Sequence, residues 1–470
     1  MSKTKKKKEF YKIKVIDAGA KGKSIAKAPD GKIIFIEKAV PGDVVDLKTF
    51  KKRKNYYEAR VTKKHRLSPF RNKPMCVHFD YCGGCKWQHM DYKKQLFYKQ
   101  KEVLNNLQRI GKIDVPKPLP IIKSKKKFFY RNKMEFTFSN NRWLFENEIK
   151  SKKIIDDRNA LGFHIPDRWD KILDIEECLL QEDPSNKIRN SLKTFAVEKN
   201  IPFFDIKEQK GILRNLIIRI SNTGELMVIV QFFKDSKEEI NAVLKFLKNS
   251  FPKITSLQYI INPKKNDTIY DQDIIVYSGK DHIIERMGKL FFKINAKSFY
   301  QTNSEQAHKL YQKTLEFADL KGNEIVYDLY SGTGTIAQFI AKNAKLVIGV
   351  EIIFESVELA KENAVKNKLT NVKFFHAKIK NILNQEFVRT HGQPNLIITD
   401  PPRNGMHQDV VNQILKINPE KIIYISCNSA TQARDLNLLD KKYLVTKTQS
   451  IDMFPQTHHV ENIVLLNKRN

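Results

Sequence analysis

Glycine is scarce in this chain, with 18 in 470 residues, and tryptophan occurs only three times. Acidic residues are few: 52 Asp plus Glu stand against 85 Lys plus Arg, a formal charge of +33. No apolar run approaches the ~18 residues a membrane helix needs. The charged start, Met1-Ser-Lys-Thr-Lys-Lys-Lys-Lys-Glu9, has no apolar stretch behind it, so neither a membrane protein nor a secreted one is expected, and a cytoplasmic location is. Cysteine is sparse and odd in number: Cys76, Cys82, Cys85, Cys178 and Cys427. That count argues against a disulfide framework, and in a reducing compartment clustered cysteines bind metal or do chemistry. Lysine bias alone would not remove acidic residues, and the natural partner of so positive a field is nucleic acid.

What is present divides into three regions at roughly 100–200 residues per domain. Residues 1–66 carry 21 Lys plus Arg against 7 Asp plus Glu. Past the lysine tail, Phe10–Ile16, Lys32–Ile36, Asp43–Leu47 and Tyr56–Val61 read as strands. The turns Asp17-Ala-Gly19, Asp30-Gly31 and Pro41-Gly-Asp43 separate them. Short strands at this density predict a small OB-like barrel, and a basic barrel of that kind binds RNA. Lys51, Lys52, Arg53 and Lys54 are candidate phosphate contacts. Residues 67–290 hold the cysteine cluster, a helix over Tyr92–Ile110, and mixed α/β signals. Among these, Ser236–Asn249 reads as an amphipathic helix with Ser236 and Glu239 spaced for a capping box. Residues 291–470 alternate strands and helices, which predicts a parallel, doubly wound sheet with its ligand beyond the strands' carboxyl ends.

The chemistry concentrates at those strand ends. Ile325-Val-Tyr-Asp-Leu329 runs into Tyr330-Ser-Gly-Thr-Gly-Thr-Ile336, a glycine turn that lets a ligand approach backbone at a helix N-terminus. The third glycine of a dinucleotide fingerprint is replaced by Ala337. The next strand ends in Glu351, placed to accept from ribose hydroxyls. With carboxylates present and no phosphate-binding lysine, the pocket suits the sulfonium of S-adenosylmethionine (SAM) better than NAD. The fourth strand ends at Asp400-Pro-Pro-Arg403. The arginine weakens the reading of an Asp-Pro-Pro-aromatic motif, which would act on an exocyclic amine.

The fifth strand ends in Ser426-Cys427-Asn428, at the mouth of the same crevice. Carbon 5 of a pyrimidine is a poor nucleophile, and a thiolate that adds to carbon 6 makes it enolate-like. After methylation, a base removes the carbon 5 proton and the thiolate leaves. Glu461, following Thr457-His-His-Val460, is the candidate base. Cys76-x5-Cys82-x2-Cys85 gathers three thiols in one loop, with Cys178 far along the chain. On spacing alone the set suits zinc and an iron–sulfur cluster equally.

These segments together resemble the RNA uracil-5-methyltransferase family over nearly the whole chain, its 23S rRNA enzymes most. The resemblance implies a TRAM-like barrel, and it makes Cys76, Cys82, Cys85 and Cys178 ligands of a 4Fe–4S cluster. It implies a central iron–sulfur domain and a C-terminal Rossmann-like, SAM-dependent methyltransferase domain. It places Gln301 of Phe299-Tyr-Gln-Thr-Asn303, Tyr330, Gly332, Gly334, Glu351 and Asp400 at SAM, Cys427 as nucleophile and Glu461 as proton acceptor. It implies 23S rRNA as substrate, with tRNA the alternative, and a monomer. A non-catalytic RNA-binding factor is disfavoured by the presence of both Cys427 and Glu461. Ser331 replaces a cysteine common in the family. The segment Phe374–Lys380 lacks the acidic residue that often meets the adenine, so backbone groups are expected there. The family further suggests that the 92–110 helix packs on the catalytic domain.

Overall fold

A computed structural model describes residues 7–151 and 155–469; the first six residues of the expected lysine tail lie outside them. Six strands, Glu9–Lys14, Asp17–Ala18, Ser24–Lys27, Ile33–Glu37, Val44–Lys52 and Tyr56–Arg66, form one small sheet at the N-terminus. Alternation decides its faces: Ile34, Ile36, Val45, Leu47, Tyr57 and Ala59 share a core of their own, while lysines point outward. Asp17–Ala18, expected as a turn, pairs with Ser24–Lys27, a strand too short and too small in side chain to stand out by pattern.

The helix Tyr92–Arg109 is capped by Asp91, whose carboxylate accepts from the amides of Lys93 at 2.9 Å and Lys94 at 3.4 Å. Its apolar stripe, Val103 and Leu107, enters a core shared with Leu436 and Val464 near the C-terminus. Leu119–Ile122 then adds to the edge of the catalytic sheet. Thirty or so residues expected in the central domain are thus built into the C-terminal layer.

The central sheet runs Arg168–Asp174, Ala160–Ile165, Lys133–Ser139, Leu213–Ile220, Leu226–Phe232, Ser256–Ile261, Ile275–Gly279 in spatial order. One face packs on the helices Ser185–Glu198 and Lys237–Ser250, where Phe195 and Phe246 stack at 4.2 Å. Ser236 precedes the second helix, but its hydroxyl donates to the Glu239 carboxylate instead of accepting a helix amide, so the expected capping box does not form. The boundary expected after residue 290 falls inside a hairpin, His282–Met287 with Leu290–Asn295. Its Ile283, Phe292 and Ile294 pack in one core with Ile217, Met227 and Ile229 of the central sheet and with Val326 and Val347 of the C-terminal one.

The C-terminal sheet contains β1 (Ile325–Leu329), β2 (Leu346–Glu351), β3 (Val372–His376), β4 (Leu396–Thr399), β5 (Lys421–Ser426), β6 (Tyr443–Ile451) and β7 (Glu461–Lys468). Their order is 3-2-1-4-5-7-6, with Leu119–Ile122 outermost. Strands β1 to β5 are parallel and nearly continuous apolar runs, since helices cover both faces. One strand departs from the all-parallel expectation: β7 inserts antiparallel between β5 and β6, which run the same way. The loop 452–460 therefore sits at the carboxyl edge and delivers the first residue of β7 there. Among the described residues no helix is long and apolar enough to cross a membrane.

Candidate active site

The turn after β1 is left-handed at Tyr330 (φ 63°), Gly332 (φ 53°) and Gly334 (φ 73°). A side chain at Gly334 would meet the Phe374 ring at 2.5 Å, whereas nothing lies within 4 Å of one at Gly332. Gly334 is therefore a packing requirement, and Gly332 leaves its backbone open to a ligand. We expect Gly334→Ala to lower the affinity for SAM by about tenfold or more through displacement of the turn, measured by calorimetric titration.

Asp328 is buried. One carboxylate oxygen accepts from the Ala337 amide at 3.1 Å, and the other has no partner. Burial, then the charges of Asp400 and Glu351, push its pKa well above the usual carboxylate range. The buried Ser331 hydroxyl is also without a partner. Buried polar atoms left open beside a glycine turn fit a polar ligand seated there. Glu351 accepts from the Gly332 amide at 2.9 Å and from Ile352 and Ile353 at 2.8 and 3.0 Å, which fixes its carboxylate against the turn. Lone pairs remain for hydroxyl donors. Beyond it Ile352, Ile353 and Phe354 are 53%, 44% and 55% exposed, an apolar shelf that sequence reasoning passed over although three apolar residues after an acidic strand end were visible. His376, at the end of β3, hydrogen-bonds the Ile352 carbonyl at 2.9 Å and stands edge-on to Phe354. Gln301 is buried, its carbonyl accepting from Asn132 at 3.0 Å, and Asn303 caps the helix Ser304–Ala318.

Register brings Cys427 and Glu461 together. In the antiparallel pairing of β5 with β7, Ser426 stands opposite Asn462, so the next residue out, Cys427, faces Glu461. Burial, then the charges of Glu461 and Asp400, push the Cys427 thiol up to about 11, and Arg403 opposes them. Burial also raises Asp400 to about 7. Glu461 is raised well above its ordinary value by burial and by Asp400, with Arg403 again opposing. The Arg403 carbonyl accepts from Asn428 at 2.9 Å and Thr431 at 3.1 Å, which ties the Asp400–Arg403 turn to the turn that carries Cys427.

Cys427 opens on a cavity of about 740 Å³. Basic Arg131, Lys133, Arg219, Lys297 and Arg403 line it, with Tyr270 and Phe299, which are 61% and 66% exposed. None of the basic residues but Arg403 and neither Tyr270 nor Arg219 was singled out from sequence, because the loops and strands that bring them in carry no motif. The same cavity is lined by Cys76, Cys82, Cys85 and Cys178, all half-buried. Burial is the first cause that raises all four thiols, Cys82 and Cys85 to about 12. The expected ligand set is met only as convergence on one cavity: among the described residues no group of three or more Cys, His, Asp or Glu is placed to hold a metal ion.

The sequence profile described as tRNA (uracil-5-)-methyltransferase matches residues 207–469. An RNA methyltransferase of Bacteroides thetaiotaomicron is 55% identical over 453 residues, 96% of this chain and 100% of that one. One from Porphyromonas gingivalis is 46% identical over 97% of this chain and 99% of its own. Among solved structures, the Pyrococcus abyssi tRNA (uracil-54, C5)-methyltransferase in complex with S-adenosyl-L-homocysteine superposes with a TM-score of 0.75 at 28% identity. The match covers 97% of this chain and 100% of that one.

Proposed function

The chain belongs to the RNA uracil-5-methyltransferase family, and from that premise we propose that it methylates carbon 5 of a uridine in 23S rRNA through a covalent thiolate adduct. The observation that carries the mechanism is the register that brings Cys427, on the lining of a basic, aromatic cavity, beside the buried Glu461. The turn Tyr330–Gly334, Gln301, Glu351 on the ribose side and Asp400 on the methyl side would hold SAM, which would supply an electrophilic methyl group. The chain does the rest. Cys427 adds to carbon 6, and Arg403 offsets the carboxylates that oppose its ionisation. Once carbon 5 is methylated, Glu461 takes its proton and the thiolate is expelled. Burial raises the basicity of Glu461, which suits it to hold that proton. The uracil must leave its stack to reach Cys427, and Phe299 and Tyr270 offer faces for unstacked bases.

The N-terminal sheet, read as a TRAM-like barrel, holds RNA through phosphates, with Lys51, Lys52, Arg53 and Lys54 as contacts. Cys76, Cys82, Cys85 and Cys178 are assigned to a 4Fe–4S cluster; the support is four soft donors on one cavity wall. Such a cluster would brace the cavity wall that faces RNA. Anaerobically purified protein is expected to carry about four irons and four acid-labile sulfides per chain, lost in Cys178→Ala. Fully active protein free of iron would remove the assignment.

The tRNA reading is favoured by two observations: the matching profile is described as tRNA (uracil-5-)-methyltransferase, and the Pyrococcus protein that matches along its full length is a tRNA enzyme. Deleting the gene and mapping 5-methyluridine by nucleotide-resolution mass spectrometry decides between them. The rRNA reading expects loss from one or more 23S positions with tRNA unaffected, and loss from tRNA alone overturns it.

A further inference from the structure

The loop that joins β6 to β7 is held by side chains from far along the chain. Lys99, fully buried, donates to Asp452 at 2.5 Å and to the Phe454 carbonyl at 3.0 Å. The Tyr92 hydroxyl donates to the other Asp452 oxygen at 2.7 Å. Asn303 and Gln306 reach the carbonyls of Met453 and Asp452 at 2.9 and 2.8 Å, and Tyr130 reaches that of Pro455 at 3.0 Å.

The tightest hold is on Gln456. Its backbone is left-handed, φ 68°, a conformation that disfavours a residue with a side chain. The buried Gln95 amide meets it twice: Gln95 Oε1 accepts from the Gln456 amide at 3.0 Å, and Gln95 Nε2 stands 3.0 Å from Gln456 Oε1. The same Nε2 lies 2.9 Å from the carbonyls of Trp87 and Met90, and the Trp87 amide donates to the Gln456 carbonyl at 2.9 Å. The Trp87 indole in turn donates to Gly22 in the N-terminal sheet at 3.2 Å. Five residues after Gln456 the chain enters β7 at Glu461, and between them Thr457 and His459 line the cavity.

We propose that Gln95 is a positioning residue for the proton acceptor: by clamping Gln456 in its left-handed backbone it fixes where Glu461 enters β7 opposite Cys427. The clamp makes the geometry of proton removal depend on the docking of the helix Tyr92–Arg109 and, through Trp87, on the N-terminal sheet. Thiolate addition draws on β5 and its turn, which Gln95 does not touch.

The inference rests on Glu461 being the base, and the experiment separates the two. Gln95→Met is compared with the wild type and with Glu461→Gln in steady-state methylation of substrate RNA, with covalent RNA–protein species counted on denaturing gels. The expected result for Gln95→Met is an RNA KM within about twofold of wild type, a kcat lower by about tenfold or more, and a larger steady-state share of adduct, because addition is intact and proton removal is slowed. Adding Gln456→Gly, which accepts φ 68° without a clamp, is expected to restore much of the kcat. An unchanged kcat, a rise in KM alone, or a kcat loss without adduct overturns the proposal. If Gln95→Met is insoluble, Gln95→Asn, one methylene short, gives the same readouts. Adduct in Glu461→Gln but none in Gln95→Met defeats this inference alone; adduct in neither defeats the assignment of Glu461.

Discussion

Cys427→Ala is expected to abolish methyl transfer, with a loss of at least about 10³-fold in labelled methyl incorporated into RNA from SAM. Removing the thiol removes the group proposed to add to carbon 6, and without that addition carbon 5 has no electron density to attack with. The variant should still fold: Cys427 is half-buried at a strand end, and its neighbour Asn428 keeps the cap on the following helix, accepting from Ala430 at 3.1 Å. RNA affinity should change little, since the basic lining of the cavity remains. Cys427→Ser should also fail, because an alkoxide is far harder to form beside Glu461 and Asp400 than a thiolate. Methylation that survives Cys427→Ala would show that the reaction does not pass through this thiol.

Glu461→Gln is expected to behave differently, stopping turnover while trapping RNA on the protein. The amide keeps the size of the carboxyl and its place at the head of β7, so addition to carbon 6 and methylation proceed. The proton on carbon 5 then has no acceptor, and elimination cannot follow. General-base removal of this kind contributes about 10²–10⁴-fold, which sets the expected fall in kcat. The adduct should persist in denaturant, be absent from Cys427→Ala, and require SAM to become resistant to reversal. Loss of turnover with no adduct would assign Glu461 to binding instead.

The candidate site residues could be placed together from sequence because a parallel sheet gathers such groups at one edge: Asp328, Glu351, Asp400 and Cys427 each lie within one residue of a strand's end. Glu461 was legible by motif, but its position opposite Cys427 follows from the antiparallel insertion of β7, which periodicity does not reveal. The hold on the loop 452–460 was not legible at all. Gln95 and Gln456 lie 361 positions apart, and an amide or a lysine on a helix looks like solvent-facing surface until its partner is known. Local pattern failed in the other direction at Ser236 and Glu239, where the right spacing gave a hydroxyl–carboxylate bond instead of a cap. The hairpin around residue 290 carries no local signal of where it packs, since its core takes side chains from both neighbouring sheets.

The most direct test is the nucleoside product itself. Purified enzyme is incubated with methyl-labelled SAM and RNA from a strain lacking the gene, the RNA is digested to nucleosides, and the label is located by mass spectrometry. Label confined to 5-methyluridine is the expected result. Label in a cytidine, an adenosine, a ribose or any other uridine position would contradict the assignment of Cys427 and Glu461 to methylation at uracil carbon 5.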